Sequence, residues 1–210
     1  MAALNDLSLR LAPAPQGQKL SQVLEGMLQG GSARIAVGDL AAALGDRGFA
    51  PLMVILGLPN LFMFVPGSSV FTGLPLILLS LQLLSGRGKV WMPETIACRS
   101  IERAAFERLA RIALPRVVRA EKLARPRCWP RSERFADRLA GSAALLMSVF
   151  LFLPIPFANG LPALSVILLA LGLSERDGLW LGAGLATAVI STLVVIAMVT
   201  FGAAIVGAVF

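Results

Sequence analysis

The chain has 210 residues, enough for one domain of ordinary size or two small ones. Apolar residues make up 57% of it and charged residues 15%, so too few charges remain to coat a water-soluble globule. The mean hydropathy of +0.79 agrees, which excludes the soluble, disordered and fibrous classes and indicates a protein embedded in lipid. The first residues lack the basic start and unbroken apolar core of a signal peptide, so we expect internal apolar segments to insert the chain.

Composition also restricts the chemistry that the chain can perform. It contains no His and no Tyr, which removes imidazole ligands, imidazole bases and phenolic acids. Its two cysteines, Cys98 and Cys128, have no metal-binding or redox spacing, and no phosphate-binding or dinucleotide-binding glycine motif occurs. We therefore expect no metal, no cofactor and no catalytic residue, and we expect that the chain is not an enzyme.

The order of apolar, basic and glycine-rich stretches divides the chain into five parts. Prolines and a glycine near its start indicate a flexible tail, and short helices are predicted at about 19–29 and 38–45. The parts are a tail at 1–18, a first helical repeat at 19–92, a basic amphipathic connector at 93–138, a second helical repeat at 139–180 and a C-terminal transmembrane segment at 181–210.

Five apolar segments supply the embedded part of the prediction. About 20 helical residues are needed to cross a hydrocarbon core about 30 Å thick. Segment 49–65 is interrupted by Gly57 and Pro59, and segment 68–84 is broken at Pro75, so neither is expected to span upright. Re-entrant helical hairpins, which enter the membrane and return to the same face at a Pro/Gly break, explain such lengths best. The segments are 49–65, 68–84, 139–158, 161–173 and 178–210.

The remaining lengths complete the predicted fold class. Segment 178–210 carries no charge and holds at least one full crossing, and a helix from Glu133 to about Leu153 could supply a second. We therefore predict an all-α integral membrane protein with two internally repeated, Pro/Gly-broken helical hairpins, partly re-entrant, joined by basic amphipathic helices. Non-helical backbone at membrane depth must be satisfied by protein or by a water-filled cavity, which favours a homodimer or a tightly packed core.

The positive charge of the chain is concentrated in the connector. Residues 99–138 contain twelve basic and five acidic side chains, so their formal charge of +7 equals that of the whole chain. The positive-inside rule places this stretch in the cytoplasm. Ser100 is predicted to cap an amphipathic helix that runs to Leu114 with arginines on one face, which favours binding to anionic lipid headgroups. A protein partner is the alternative; no nucleic-acid-binding motif is present, so we expect no nucleic acid.

Two ordered sets of residues recur in the apolar halves and predict an internal duplication. Gly73-Leu74-Pro75 reappears as Gly160-Leu161-Pro162, and Ser85-x-Arg87-x-x-x-Trp91 reappears as Ser174-x-Arg176-x-x-x-Trp180. An apolar run ending in prolines precedes each Gly-Leu-Pro. Paired Pro/Gly-broken segments in two halves indicate a shared central site in membrane proteins, although two scaffolding hairpins would look the same. The proline and glycine positions of this motif are Pro59, Pro66, Gly73, Pro75, Pro154, Pro156, Gly160 and Pro162.

Six polar or aromatic residues are candidates for binding a lipid or saccharide headgroup. Arg87 with Trp91, and Arg176 with Trp180, are typical interfacial anchors, and the planar guanidinium also suits a lipid or polyprenyl phosphate. Asn60 and Asn159 occur where helices break, so their amides are expected to bond to freed backbone groups; binding a sugar hydroxyl is the alternative.

The remaining polar features argue against two other classes of function. Glu175-Arg176-Asp177-Gly178 could hold an acid–base pair but is more typical of a polar turn, since residues two apart do not share a helix face. The apolar segments contain no ionisable side chain, which counts against proton-coupled transport.

These residues resemble a known family. Asp46-Arg47-Gly48-Phe49, Leu58-Pro59-Asn60 and Gly73-Leu74-Pro75 look like the first half of the ExoD exopolysaccharide-synthesis family. Leu153-Pro154, Asn159 and Leu171-Gly172-Leu173-x-x-Arg176-Asp177-Gly178 resemble its second half. The resemblance covers about residues 20–205. It implies a multi-pass protein of the bacterial inner membrane that is needed to make or export exopolysaccharide, hence for biofilm formation or host interaction, and it transfers no catalytic residues.

Three functions follow, in decreasing order of support. The first is a non-enzymatic membrane component of exopolysaccharide production, which contacts membrane lipids and other proteins of that machinery. The second is a flippase- or channel-like carrier of lipid-linked saccharide, with its path between the repeats. The third is a membrane enzyme that acts on lipid-linked sugars through Glu175 and Asp177.

Overall fold

A computed structural model describes the apolar core of the chain and parts of the remainder. The described stretches are 34–36, 48–62, 68–87, 100–102, 127–130, 132–153 and 159–209, with single positions at 22, 25, 26, 90, 91, 93, 104, 107, 108, 111, 114, 115, 118, 119 and 122. The predicted tail at 1–18, the helix at 38–45 and three motif prolines, Pro66, Pro154 and Pro156, lie outside these residues.

Five helices form the described core, and they confirm the all-α prediction. They are α1 (Phe49–Phe62), α2 (Ser68–Leu84), α3 (Glu133–Phe152), α4 (Gly160–Glu175) and α5 (Gly178–Val209). Each corresponds to one predicted apolar segment, because an unbroken apolar run must satisfy its backbone hydrogen bonds internally. The helix expected from Glu133 to about Leu153 is present as α3, with Ser132 accepting a hydrogen bond from the Phe135 N–H at its start.

A small antiparallel ribbon accompanies the helices and was not predicted. β1 (Arg34–Ala36) pairs with β2 (Ser100–Glu102), and Ile35 lies opposite Ile101. Ser100 therefore begins a strand, and the prediction that it caps a helix is wrong. Apolar β-branched residues opposite one another favour the ladder over a helical start. The described positions of the connector from Ala104 to Lys122 are helical.

The proline breaks predicted within the first two apolar segments are also wrong. α1 continues through Gly57 and Pro59, and α2 continues through Pro75. A proline inside a helix removes one backbone hydrogen bond and usually kinks the helix, but neighbouring helices make this tolerable in an apolar bundle. Pro162 is in the first turn of α4, where the missing N–H would have no partner within the helix.

The helices pack in an antiparallel order around one core. α2 packs on α3, α1 packs on α4, and α5 is attached mainly to α4. The crossings are close because they occur at glycines. A Cβ on Gly141 would lie 2.7 Å from the Leu84 nitrogen, and one on Gly73 would lie 3.0 Å from the Phe152 nitrogen. The fully buried large side chains are Leu52, Met53, Val54, Leu56, Leu76, Leu79, Met147, Leu151 and Leu169.

One stripe of α5 contacts the bundle while the rest of the helix is exposed. The buried positions are Leu181, Gly184, Ala188, Ser191 and Val195, which recur every three or four residues. From Ile196 onward every position whose burial is described is exposed, and these positions include the large apolar side chains of Ile196, Met198, Val199 and Phe201. By length and composition, two described helices could cross a membrane: Glu133–Phe152 and residues Gly178–Phe201 of α5.

Two glycines on α5 give a matched test of this packing. A Cβ on Gly184 would lie 2.8 Å from the Leu169 nitrogen, whereas a Cβ on Gly182 has no described atom within 4 Å. We expect Gly184→Val to destabilise the detergent-solubilised protein by about 2 kcal/mol or more, because backbone atoms cannot move aside. Gly182→Val should leave the thermal unfolding temperature almost unchanged. Equal temperatures for the two variants would contradict the close crossing of α4 and α5.

Candidate functional site

All charged side chains of the helical core lie at one end of it. Residues 48–86, 139–174 and 178–210 contain no Asp, Glu, Lys or Arg. The end of α2, the start of α3 and the turn between α4 and α5 meet, as shown by the approach of Gly141 to Leu84 and by an ion pair from Arg176 to Glu133. We call this surface the charged end; its described members are Arg87, Trp91, Arg127, Glu133, Arg134, Asp137, Arg138, Glu175, Arg176 and Asp177. The opposite end, where α1 meets α2 and α3 meets α4, is the uncharged end.

Both short helices that reach the charged end finish with a left-handed residue. After α2, Gly86 has φ of 73° and the Arg87 N–H donates to the Gln82 carbonyl over 3.1 Å. After α4, Arg176 has φ of 52° and the Asp177 N–H donates to the Gly172 carbonyl over 3.1 Å. This is the Schellman type of helix end. The two arginines matched by sequence therefore occupy neighbouring positions of this motif. Arg176 is the left-handed residue itself, whereas Arg87 is the residue that follows it.

The first anchor pair, Arg87 and Trp91, is held by a glutamine. The buried Gln82 side chain donates from Nε2 to the Trp91 carbonyl and accepts from the Trp91 N–H, both over 2.7 Å. This reciprocal pair fixes the chain that follows α2 and leaves the Trp91 residue 58% exposed. Arg87 is exposed as well, and it forms no ion pair with any other residue for which the structure gives a position. Its guanidinium is available to an external anion.

The second anchor pair, Arg176 and Trp180, is engaged within the protein. Arg176 Nη2 lies 2.8 Å from Glu133 Oε1, with side chains 59% and 63% exposed, so this ion pair stabilises the fold little. Trp180 is in the first turn of α5 and packs partly buried against the core. The structure therefore brings all four anchor residues to the charged end but gives the two pairs different surroundings.

A buried aspartate attaches the end of the connector to the bundle. Asp177 is 0% exposed; its Oδ1 accepts from the Leu179 N–H over 2.9 Å and its Oδ2 lies 3.4 Å from Arg127 Nε. The Gly178 N–H donates to the Arg127 carbonyl over 2.9 Å. A side chain at Gly178 would collide with the Cys128 carbonyl, so only glycine permits this contact. The carboxylate of Asp177 therefore caps α5 and pairs with the connector at once.

The asparagine of the first hairpin forms a buried polar cluster at the uncharged end. Asn60 Nδ2 donates to the Leu56 carbonyl over 3.1 Å and to Thr72 Oγ1 over 2.8 Å, and the Thr72 hydroxyl lies 3.1 Å from Asn60 Oδ1. The side chain thus bonds to backbone one turn back, beside Pro59, and joins α1 to α2. A structural role of this kind was one of the two interpretations of Asn60.

The second asparagine has different surroundings. Asn159 precedes α4, but its side chain makes no capping hydrogen bond, and its Oδ1 is buried with no hydrogen-bond partner in the described part of the chain. The glycines of the repeated motif differ too. Gly73 is at a helix crossing, whereas no described atom lies within 4 Å of a Cβ built on Gly160.

The groups that the charged end exposes include guanidinium and indole side chains. Within the described ranges, no group of three or more His, Cys, Asp or Glu side chains could hold a metal ion. Asp177 is engaged as a cap, and Glu175 ends α4 partly buried. Exposed guanidinium and indole groups on one surface are suited to phosphate and headgroup contact.

Sequence reasoning missed the residues that position this surface. Gln82 was only one polar residue in an apolar helix, and nothing local indicates that it meets Trp91. Asp177-Gly178 was predicted as a turn, and a turn is present, but its partner Arg127 is about fifty positions earlier. The Asp-Gly pair directly before an uninterrupted apolar run was the available signal for a capped helix.

Substitutions of Asp177 separate its capping role from its charge. Asp177→Asn keeps an oxygen that can accept from Leu179, whereas Asp177→Ala removes it. We expect the Ala variant to be less stable than the Asn variant by about 1 kcal/mol, the usual free-energy cost of a lost cap, and therefore to unfold at a lower temperature. Ser132→Ala is the control, since its capping bond on α3 is long at 3.4 Å and exposed, and it should cost less. An Asn variant as unstable as the Ala variant would show that charge dominates.

Comparison with known proteins identifies the family. The family model for exopolysaccharide synthesis, ExoD, matches residues 20–197. Protein ExoD of Rhizobium meliloti (strain 1021) is 31% identical over 175 residues, covering 80% of this chain and 72% of that protein. An uncharacterized protein of Synechocystis sp. (strain ATCC 27184 / PCC 6803 / Kazusa) is 31% identical over 169 residues, covering 79% of this chain and 78% of that protein. No solved structure matches. Because the family model covers most of the sequence, the chain belongs to the ExoD family of exopolysaccharide synthesis.

Proposed function

We propose that this protein is a non-enzymatic integral component of the bacterial inner membrane that exopolysaccharide synthesis or export requires. Membership of the ExoD family supports the process. The single observation that supports the membrane arrangement is the segregation of charge, since every charged residue of the described core is at one end of it. An apolar end with no charged group is more stable in contact with hydrocarbon than in contact with water.

Helix lengths support two re-entrant hairpins that enter from the charged end. α1, α2 and α4 have 14, 17 and 16 residues, which gives lengths of about 21, 26 and 24 Å. α3 has 20 residues, but its charges extend to Arg138 and leave an apolar part of about 21 Å. A hydrocarbon core is about 30 Å thick. Both hairpins are therefore too short to bring their uncharged ends out on the other side.

α5 is the complete crossing in this arrangement. It has 32 residues without a charge, or about 48 Å, and it starts at the charged end. It passes the uncharged end of the hairpins near Val195, and every position beyond whose burial is described is exposed. Bulky apolar side chains there, such as Met198, Val199 and Phe201, face lipid or a second copy of the chain. A homodimer through this helix would cover the surplus length.

The basic connector supports a cytoplasmic position for the charged end. Its exposed positions include Arg108, Arg111, Arg119 and Lys122, in addition to Arg87 on the bundle. Cationic side chains near the membrane are retained on the cytoplasmic side and are attracted to anionic lipid. The matching pairs of hairpin, Schellman end and Arg–Trp anchor support an origin of the two halves by duplication.

Thiol labelling tests this topology. In a Cys98→Ser background, Cys128 is the only thiol, and it is exposed at the charged end. We expect a membrane-impermeant maleimide to label Cys128 in inverted vesicles and not in spheroplasts. With Cys128 also replaced by Ser, Gly207→Cys near the end of α5 should be labelled from outside, and Leu153→Cys at the end of α3 should be labelled from neither side. Labelling of Leu153→Cys from outside would contradict the re-entrant hairpin.

Polymer yield tests the role of the charged end. In a strain lacking the gene, the wild-type chain should restore exopolysaccharide, and Arg87→Gln should restore several-fold less. The reason is that Arg176 is paired with Glu133, whereas the Arg87 guanidinium has no ion pair with any described residue. Arg176→Gln should have a smaller effect, and Arg108→Gln on the connector serves as a control for the loss of one charge. Equal yields from Arg87→Gln and wild type at equal protein levels would exclude headgroup recognition by Arg87.

A further inference from the structure

Two buried oxygens near the uncharged end have no internal partner. They are Asn159 Oδ1 before α4 and Ser191 Oγ in α5, neither of which is hydrogen-bonded to any residue that the structure places. Ser191 is 0% exposed. Other helical hydroxyls bond to the carbonyl four residues earlier, as those of Thr187 and Thr192 do on the same helix. A buried hydroxyl without a partner costs free energy, so these two atoms require an explanation.

The packing of α4 on α5 places both oxygens at the same level. The helices run antiparallel, since Gly172 approaches Leu181 while Gly184 approaches Leu169, and Ser165 Oγ donates to the Gly184 carbonyl. The buried stripe of α5 continues two turns from Gly184 to Ser191. That distance leads back along α4 to its first turn, which Asn159 precedes. Ser191 and Asn159 are therefore within about one helical turn of each other along the axis.

The start of α4 adds donors and space to these two atoms. The first N–H groups of a helix have no partner within it, and the Asn159 side chain does not cap them. Next to them, a Cβ built on Gly160 meets no atom of the described chain within 4 Å. At Gly73, the equivalent residue of the first repeat, the Phe152 backbone is 3.0 Å away. With respect to the residues that the structure describes, this position is therefore open in the second hairpin and closed in the first.

The donor and acceptor types select the ligand. Asn159 Oδ1 only accepts, the Ser191 hydroxyl donates and accepts, and the backbone N–H groups only donate. An anion would be repelled by the amide oxygen, and no charged side chain occurs in 139–174 or 178–210 to compensate it. A hydroxyl group can donate to Asn159 and accept from Ser191 or from the backbone. Neighbouring hydroxyls on one ring could engage all three.

We propose that Asn159, Ser191 and the N-terminus of α4 form a binding site for a neutral, hydroxyl-rich ligand, a sugar ring. The hydroxyl chemistry stands on the geometry alone, whereas the expectation that the sugar is carried on a membrane lipid rests on the proposed function. Two sources share this chemistry: the sugar of a lipid-linked saccharide and a free saccharide. The site is about 24 Å along α4 from the charged end, which favours delivery from within the membrane.

Binding to the purified full-length chain, in a detergent without a sugar headgroup, tests the proposal. The probes are a radiolabelled polyprenyl-phosphate hexose, polyprenyl phosphate without sugar, and free hexose. We expect Ser191→Ala and Asn159→Leu each to weaken binding of the sugar-bearing lipid about tenfold, and Asn159→Asp, which keeps the acceptor, to weaken it less. Thr192→Val is the matched control, because its hydroxyl is bonded within the helix and its loss should not change binding.

Stability gives a second readout that a structural serine would not produce. Without ligand, Ser191→Ala removes an unsatisfied hydroxyl, so its thermal unfolding temperature should equal or exceed that of the wild type while its affinity falls. Binding of the sugar-bearing lipid alone, or of free hexose as well, supports the site and identifies the source. Equal affinity of both polyprenyl lipids, no binding of any sugar probe, or unchanged affinity of Ser191→Ala would overturn it. Restoration of polymer in the strain lacking the gene is measured separately, so a failure of this binding site can be distinguished from a failure of the proposed function.

Discussion

Close contact between helix backbones is the constraint on which the rest of this structure depends. Gly141 lets α3 approach the end of α2, and Gly172 and Gly184 let α4 and α5 approach over about one turn of each helix. In an apolar surrounding there is little hydrophobic gain from joining two helices, so attraction must come from contact area and hydrogen bonds. The Ser80 and Ser148 hydroxyls, 3.3 Å apart between α2 and α3, add such a bond at one of these crossings.

The same packing explains how polar groups are distributed. Since the helices alternate in direction, the end of α2, the start of α3 and the turn between α4 and α5 meet, and the charges that flank the apolar runs are gathered there. Polar groups away from that end are uncharged and few. Those of the first hairpin satisfy each other, as Asn60 and Thr72 do, whereas Asn159 and Ser191 do not. The two hairpins thus differ in whether their buried polar groups are satisfied within the described residues.

The helices were predictable from sequence because a long apolar run must satisfy its backbone hydrogen bonds internally, which favours a helix. Residues 68–84 and the run after Asp177 became helices with nearly the expected bounds. The errors came where tertiary context outweighed a local rule. Pro59 and Pro75 would break isolated helices, yet here packing against neighbouring helices makes the lost backbone hydrogen bonds tolerable. Ser100 is of a residue type that often caps helices, but here its backbone belongs to a strand that pairs with β1, which is distant in the sequence.

The site was less predictable than the fold, for a physical reason. The anchor residues Arg87 and Trp91 follow from membrane composition rules, but Gln82, which positions Trp91, is recognisable only once α2 ends in a tight turn. Ser191 is distinctive because its hydroxyl has no hydrogen-bond partner among the described residues, and no sequence pattern distinguishes it from Thr187 or Thr192. The antiparallel packing of α4 and α5, which brings Ser191 to about the level of Asn159 along the helix axis, exists only in three dimensions.

The contact of Gly178 with Cys128 also imposes an order of assembly. Residues 127–130 are synthesised before the aspartate and glycine that receive them, so this contact cannot form until residues 177 and 178 have been made. Until then the arginine at 127 has no carboxylate from residue 177 to meet. A nascent chain halted upstream of that point would lack both the carboxylate and the backbone N–H that hold residues 127–128, and synthesis of the Asp-Gly turn is the event that allows them to be held.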